Sequence, residues 1–151
     1  MTVRTTIAAL PGLVGQDLGE TTPFVVDQER IDLFADATDD HQWIHVDPER
    51  AAAGPFGATV AHGYLTLALV IPVWEQLLDV EDATVKVNYG LDRVRFPAPA
   101  RVGSRLRGTA TIADLDPLPG GGVQLHVDVT LLSDTAERPV CVARAQFRYL
   151  P

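Results

Sequence analysis

The sequence has 151 residues, of which 46% are hydrophobic and 21% charged, and its formal net charge is −8. This composition is typical of a soluble globular protein, and the length fits one domain, which we expect to span residues 1–151. The acidic balance argues against nucleic acid as a partner. The single cysteine, Cys141, excludes an internal disulfide and a cysteine-based zinc site, and its apolar surroundings predict a core thiol.

The printed sequence shows no targeting or membrane segment. Residues 1–16 lack the long apolar core and small-residue cleavage site of a secretory signal. The longest apolar stretch, from Leu65 to Leu78, contains polar residues and a proline and is too short to cross a bilayer. We therefore expect a cytoplasmic protein that does not attach to membranes.

The first half of the chain predicts two helices that flank a polar loop. Residues 1–20 show no firm periodicity and predict an extended lead-in. Asp27 is a good N-cap for a helix over residues 28–38, where apolar residues recur at helical spacing. Asp47, followed by a proline, caps a second and shorter helix that ends at Gly54.

A third helix is predicted from Gly63, over roughly 15 residues. Its apolar residues cover nearly the whole circumference, so we expect it to be buried on all sides. Pro72 should bend it, because proline removes one backbone donor and crowds the preceding turn.

The remaining segments predict strands joined by short turns, which favours an antiparallel sheet. The predicted strands cover residues 24–26, 85–89, 106–112, 123–131 and 141–149. With no second apolar layer available, the sheet must wrap around the long central helix. The expected architecture is therefore an α+β hot-dog fold. Pairing of two sheets edge to edge would complete it, so we expect a homodimer.

Asp40 and His45 are the strongest candidates for chemistry. A carboxylate and an imidazole five residues apart can meet at one reacting centre as an acid/base pair. Taken singly, Asp40 would be read as a loop or capping residue and His45 as a structural histidine. His41 and His45 also have the spacing of helical metal ligands, but their segment reads as a loop without an intervening glutamate. We therefore expect no metal and no cofactor.

A basic segment interrupts the acidic chain. Residues 86–107 contain six basic residues and one acidic residue. Such a stripe fits a small polyanionic ligand, an ion-pair surface between subunits, or simply a solvated strand face.

Three segments resemble the MaoC-like (R)-specific enoyl-CoA hydratases and dehydratases. Residues 34–47 resemble the family's hydratase motif, which reads aromatic, small residue, Gly-Asp-x-Asn-Pro-hydrophobic-His. Residues 61–66 resemble its His-Gly segment at the start of the central helix. Residues 87–97 are similar to the single-domain actinobacterial branch, often labelled NodN-like. The resemblance covers about residues 10–150.

The chain departs from the family pattern at a few positions. Asp39 stands in place of the usual glycine, and Gln42-Trp43 stand in place of Asn-Pro. Ile71 lies where some members carry a serine on the central helix. These changes alter the surroundings of Asp40 and His45 and leave the pair itself in place.

The resemblance implies (R)-specific hydration of trans-2-enoyl-CoA to (3R)-hydroxyacyl-CoA, run in either direction, in fatty acid metabolism. Asp40 would be the base, His45 would orient the water, and the Gly63 N–H would stabilise the enolate. The candidate substrate-binding residues are His62, Tyr64, Asn88 and Tyr89 near the acyl group, with Arg93 and Arg95 at the phosphates of coenzyme A. For His62, Asn88 and Tyr89, packing is an alternative account.

Two other functions remain open at this point. One is an acyl-CoA thioesterase, in which a carboxylate would activate water at the carbonyl. The other is a non-catalytic acyl-CoA-binding subunit of a hydratase complex, which would bind its ligand without turnover.

Overall fold

Six of the eight strands form one antiparallel sheet in the computed structural model, which describes all 151 residues. Strands β1 to β8 are Val3–Thr5, Asp17–Glu20, Phe24–Val26, Leu78–Val80, Val85–Arg95, Ser104–Pro117, Val123–Ser133 and Cys141–Leu150. The sheet order is β2-β6-β7-β8-β5, and β3 pairs with the same edge of β6 as β2. β1 and β4 form a separate parallel pair.

The helices follow the predicted order and give the predicted α+β hot-dog architecture. Helices α1 to α5 are Gln28–Thr38, Trp43–Val46, Pro48–Ala52, Gly63–Ala68 and Val70–Leu77. Short 3-10 helices occur at Ile7–Leu13 and Pro119–Gly121. α4 and α5 together make the central helix, which packs against the inner face of the sheet. No helix has both the length and the apolar character needed to cross a membrane.

The core lies between the central helix and alternate residues of β6, β7 and β8, because successive side chains of a strand point to opposite faces. Trp74 stacks on Phe147, and its indole N–H donates to the Tyr149 hydroxyl at 2.7 Å. Cys141 is fully buried, and burial raises the pKa of its thiol to about 11. The thiol is therefore part of the core and stays protonated at neutral pH.

The central helix differs from its prediction in one respect, because one stripe of it is not buried. Tyr64 is 75% exposed, Ala68 is exposed, and Leu67 and Ile71 are half-buried. The sheet covers only part of the helix circumference, and this stripe faces the open side beside β5. The helix is interrupted at Leu69, between α4 and α5, three residues before Pro72, in the turn that the proline ring crowds.

Two sequence-based boundaries are wrong for identifiable reasons. Residues 1–20 are not an extended lead-in, because β1 pairs with β4 and β2 pairs with β6. β5, which follows the short β4, runs to Arg95 and not to residue 89, since it stays paired with β8 through two irregularities in register. Such bulges shift the side-chain alternation, which conceals a long strand from a period-2 pattern.

Gly108 of β6 lets the central helix approach the sheet closely. A Cβ built at Gly108 would overlap Val73 Cγ1 and lie 3.0 Å from Leu131 Cδ2. Neither atom is the end of a long, flexible side chain, so these neighbours cannot easily move aside for a larger residue at position 108.

We expect Gly108→Ala to lower the free energy of unfolding by about 1–3 kcal/mol through overpacking. Urea unfolding should show a lower midpoint with an unchanged m-value. Gly12→Ala is the matched control, because a Cβ at Gly12 meets no atom within 4 Å. Val73→Ala should restore part of the loss in the Gly108→Ala background; strictly additive effects of the two changes would contradict this account.

Candidate active site

Asp40 follows directly on the residue that ends α1. That residue, Asp39, is in the left-handed region at φ 58° and ψ 20°, and no other non-glycine residue has a positive φ. Glycine is the usual choice for this conformation at a helix end, and aspartate is among the few residues that tolerate it. Asp39 therefore makes the chain reversal that the glycine of the family motif would allow.

His45 lies in α2, a single helical turn, and not in the irregular loop that the sequence predicted. The neighbouring Trp43 packs its ring on Gly54, where a Cβ would lie 2.9 Å from Trp43 Cζ3. The guanidinium of Arg50 lies 4.4 Å from the centroid of the same ring. Trp43 stands where the family motif has proline, and it anchors α2 by packing against the end of α3.

The His45 ring is held by a buried hydrogen bond. Its side chain is almost fully buried, and its Nδ1–H donates to the Val60 carbonyl at 2.6 Å. Gln28 donates from its amide to the His45 carbonyl at 2.7 Å, and Thr59 donates from its hydroxyl to Gln28 Oε1 at 2.5 Å. With Nδ1 committed as a donor, Nε2 of the neutral ring carries the free lone pair.

Burial lowers the pKa of His45 below its ordinary value of 6.5. The hydrogen bond to Val60 and the negative charge of Asp40 oppose this shift, while the neighbouring His62 adds to it. The ring is therefore neutral at pH 7, and its Nε2 is a hydrogen-bond acceptor.

The structure brings Asp40, His45 and His62 together. One carboxylate oxygen and one nitrogen of each ring lie within 4.8 Å of one another. Asp40 is exposed, and its carboxylate accepts a long hydrogen bond of 3.4 Å from the Gln42 N–H. A gap of this size between Asp40 and His45 allows one water molecule to bridge them.

These three residues are poorly arranged to bind a metal ion. The rings of His45 and His62 stack with centroids 3.8 Å apart and planes 24° apart. Nearly parallel rings cannot aim their lone pairs at a single point between them, as a tetrahedral metal requires. His41 lies outside the cluster and binds Asp36 at 2.9 Å. The arrangement serves acid–base chemistry better than coordination.

A cavity of about 390 Å³ opens beside His45 and is mostly apolar. Gly63 lies in its wall as the first residue of α4, where the backbone N–H has no acceptor within the helix. A Cβ at Gly63 would lie 3.0 Å from Phe96 Cε2, so a side chain at position 63 would push that exposed ring outward. Phe56 and the buried Thr66 also line the cavity.

The other predicted substrate-binding residues do not line this cavity. His62 contacts the pair itself, since its Nε2–H donates to the Asp40 carbonyl at 2.9 Å. Tyr64 is exposed and lines neither main cavity. Asn88 and Tyr89 line a second groove of about 290 Å³ between the central helix and β5.

Arg93 and Arg95 lie on the outer face of the sheet, away from His45. Arg93 pairs in register with Arg144, which binds Asp128 through two hydrogen bonds of 2.8 and 2.6 Å. Arg95 donates to the neighbouring carbonyl of Val94. Within one chain the structure does not bring either guanidinium to the site, so their contact with coenzyme A remains a prediction.

Sequence reasoning missed several residues that shape the site. They are Gln28 and Thr59, which hold α2, the Val60 carbonyl, and the cavity residues Phe56, Thr66 and Phe96. Thr66 and Phe96 lie in the two later segments of the family resemblance, but no pattern there assigned them to the site, and the others reach His45 only through the folded chain.

Comparisons with known proteins identify the family of this chain. A family model described as MaoC like domain matches residues 10–134. The 3-hydroxyacyl-thioester dehydratase Z of Mycobacterium tuberculosis is 47% identical over 144 residues, 95% of each chain. Nodulation protein N of Rhizobium leguminosarum bv. viciae is 43% identical over 139 residues, 91% of this chain and 86% of that protein.

A solved structure shares the fold at lower sequence identity. The (R)-hydratase from A. caviae involved in PHA biosynthesis superimposes with a TM-score of 0.71 at 20% identity, covering 91% of this chain and 96% of the other. The family match over most of the sequence, with relatives above 40% identity, confirms the resemblance found in the sequence: the chain belongs to the MaoC-like dehydratase family of hydro-lyases.

Proposed function

We propose that this protein hydrates trans-2-enoyl-CoA to (3R)-hydroxyacyl-CoA and catalyses the reverse dehydration. The observation that carries the proposal is the pairing of Asp40 with a neutral, buried His45 beside an apolar cavity. The relative named as a 3-hydroxyacyl-thioester dehydratase supports a thioester substrate. Coenzyme A as the carrier and the (R) configuration follow from the motif resemblance. The cytoplasmic location expected from the sequence stays a prediction.

The water-binding step follows from the hydrogen-bonding character of the pair. The Asp40 carboxylate and His45 Nε2 are both acceptors, so one bridging water donates one hydrogen to each. The lone pairs of that water then point away from both side chains, toward a substrate in the cavity. Asp40 takes a proton as the water oxygen forms its bond to C3 of the enoyl group.

In the remaining steps, the negative charge created by the attack of water is stabilised and then neutralised by a proton. The C2=C3 π electrons move toward the thioester carbonyl and form an enolate oxygen. The Gly63 N–H at the start of α4 stabilises this charge. The proton taken from water returns to C2 from Asp40, with His45 orienting the transfer, so one water is added across the double bond.

The exposed edge of the sheet supports a homodimer. β5 has no strand on its outer side, and its apolar side chains Val85, Val87, Tyr89 and Leu91 are exposed. A long apolar edge strand invites pairing with another strand. Antiparallel pairing with β5 of a second copy about a two-fold axis would satisfy this edge and cover the groove beside the central helix.

In the decisive assay, we expect the protein to remove the enoyl absorbance of crotonyl-CoA and of longer enoyl-CoA substrates. Asp40→Asn and His45→Gln should each lower kcat/KM by about 10²- to 10⁴-fold, because the first removes the base and the second removes the imidazole that orients the water. His41→Gln is the matched control, since His41 is exposed and binds Asp36 outside the cluster. Full activity in the Asp40 and His45 variants would contradict the mechanism.

The same assay separates the rival functions. Release of free coenzyme A without a hydrated product would identify a thioesterase. Binding of acyl-CoA without any turnover would identify a non-catalytic subunit.

The lowered pKa of His45 gives a prediction about pH. The reaction needs His45 neutral, so the acid limb of kcat/KM should lie below pH 6.5. His126→Gln is a suitable control, because His126 lies away from the site between Asp116 and Asp92. The limb should not move in this variant. An acid limb above pH 6.5 in the wild type would contradict a buried, neutral His45.

The dimer proposal predicts a mass of twice 16.3 kDa in sedimentation velocity. Leu91→Glu should shift the protein toward the monomer, because it places a charge on the apolar edge of β5. Leu33→Glu is the control, since Leu33 is 63% exposed on α1, away from that edge. A wild-type protein that sediments as a monomer at assay concentration would refute the proposal.

A further inference from the structure

His62 touches both members of the candidate pair. It is 2% exposed and immediately precedes α4 as its N-cap residue. Its Nε2–H donates to the backbone carbonyl of Asp40 at 2.9 Å, across 22 residues of sequence. Its ring stacks on His45 with centroids 3.8 Å apart, and the Phe34 ring lies 4.9 Å away. One side chain therefore links α1, α2 and the start of the central helix.

The hydrogen bonds of His62 are not those expected of a residue that only fills space in the core. A carbonyl can only accept, so His62 must carry a hydrogen on Nε2, which leaves Nδ1 to find a separate partner. This Nδ1 is the one buried side-chain nitrogen or oxygen in the chain without a hydrogen-bond partner. Such atoms are rare because they lose water and gain nothing. A phenylalanine would fill the same space without this penalty.

An imidazole supplies two things at once that no other side chain combines here. It has a flat face for the His45 ring and an N–H at the correct distance for the Asp40 carbonyl. We propose that His62 is a positioning residue, which holds Asp40 and His45 in the relative placement that lets one water bridge them. This inference rests on the proposed hydration function.

Asp40 depends on such a support because little else holds it. It follows the left-handed Asp39, and its exposed carboxylate has only the 3.4 Å contact with Gln42. Besides burial and the hydrogen bond to Val60, two neighbouring side chains act on the charge of His45: His62 disfavours its protonation and Asp40 favours it. His62 thus helps to keep His45 neutral as well as in place.

Two matched variants separate the two contributions of His62. His62→Gln keeps an amide N–H that can reach the Asp40 carbonyl but loses the flat ring, whereas His62→Phe keeps the ring and loses the donor. We expect kcat for enoyl-CoA hydration to fall by about 10- to 100-fold in each, with KM little changed. In His62→Gln the acid limb of kcat/KM should also move to higher pH, because His45 loses the neighbour that disfavours its protonation.

Phe34→Leu is the control for general packing around His62. It removes the other aromatic neighbour of the His62 ring and touches neither the hydrogen bond to Asp40 nor the stack on His45. Its kcat and its acid limb should stay close to those of the wild type. Folded His62→Gln and His62→Phe proteins with wild-type kcat and an unmoved limb would overturn the proposal.

A spectroscopic measurement keeps the inference testable if these variants do not fold. In the ¹⁵N NMR spectrum of the wild-type imidazoles, His62 should carry its hydrogen on Nε2 and His45 on Nδ1. The opposite tautomer at His62 would overturn the proposal. If the wild type hydrates no enoyl thioester, the proposed function fails, while these tautomers and the titration of His45 in His62→Gln still test the positioning role.

Discussion

The hydrogen bond from His45 Nδ1 to the Val60 carbonyl is the interaction on which the site depends. It fixes the tautomer, turns Nε2 toward the cavity and holds the ring in a buried position. Its acceptor is itself held on both sides. Val60 donates from its N–H to Ile44 of α2 at 3.0 Å and forms an isolated bridge with Arg101. Because the backbone of Val60 is held in place, its carbonyl can hold the His45 ring in a fixed position.

The two members of the pair lie in different environments, and this difference gives each its role. His45 is buried and neutral, so it can only accept a hydrogen bond through Nε2. Asp40 remains in contact with solvent and reaches the same point from the end of α1. Placing two titratable groups in unlike surroundings at one centre is how proteins separate acid and base roles between similar side chains.

Sequence patterns within single segments predicted much of the structure around the site. Contacts between segments far apart in the sequence could not be predicted in this way. The Asp27 and Asp47 caps form as expected, since each accepts the N–H of the residue three positions later at 2.9 and 3.0 Å. The Asp40–His45 pair was visible as a motif. The link from Gln28 to Thr59 joins residues 31 positions apart, and no periodicity announces such a contact. The exposed stripe on the central helix was missed for a similar reason, because apolar character alone does not say what covers a surface.

The first turns of the central helix join the site to the open groove. Gly63 and Thr66 line the cavity beside His45, while Leu67 lines the groove along β5, so α4 is a wall of both. If the proposed function is correct, a thioester carbonyl at the Gly63 N–H would place its acyl chain next to α4. Ile71 also lines the groove, and the only polar side-chain groups among the lining residues are the Asn88 amide and the Tyr89 hydroxyl. A groove lined in this way favours an apolar ligand over a charged one.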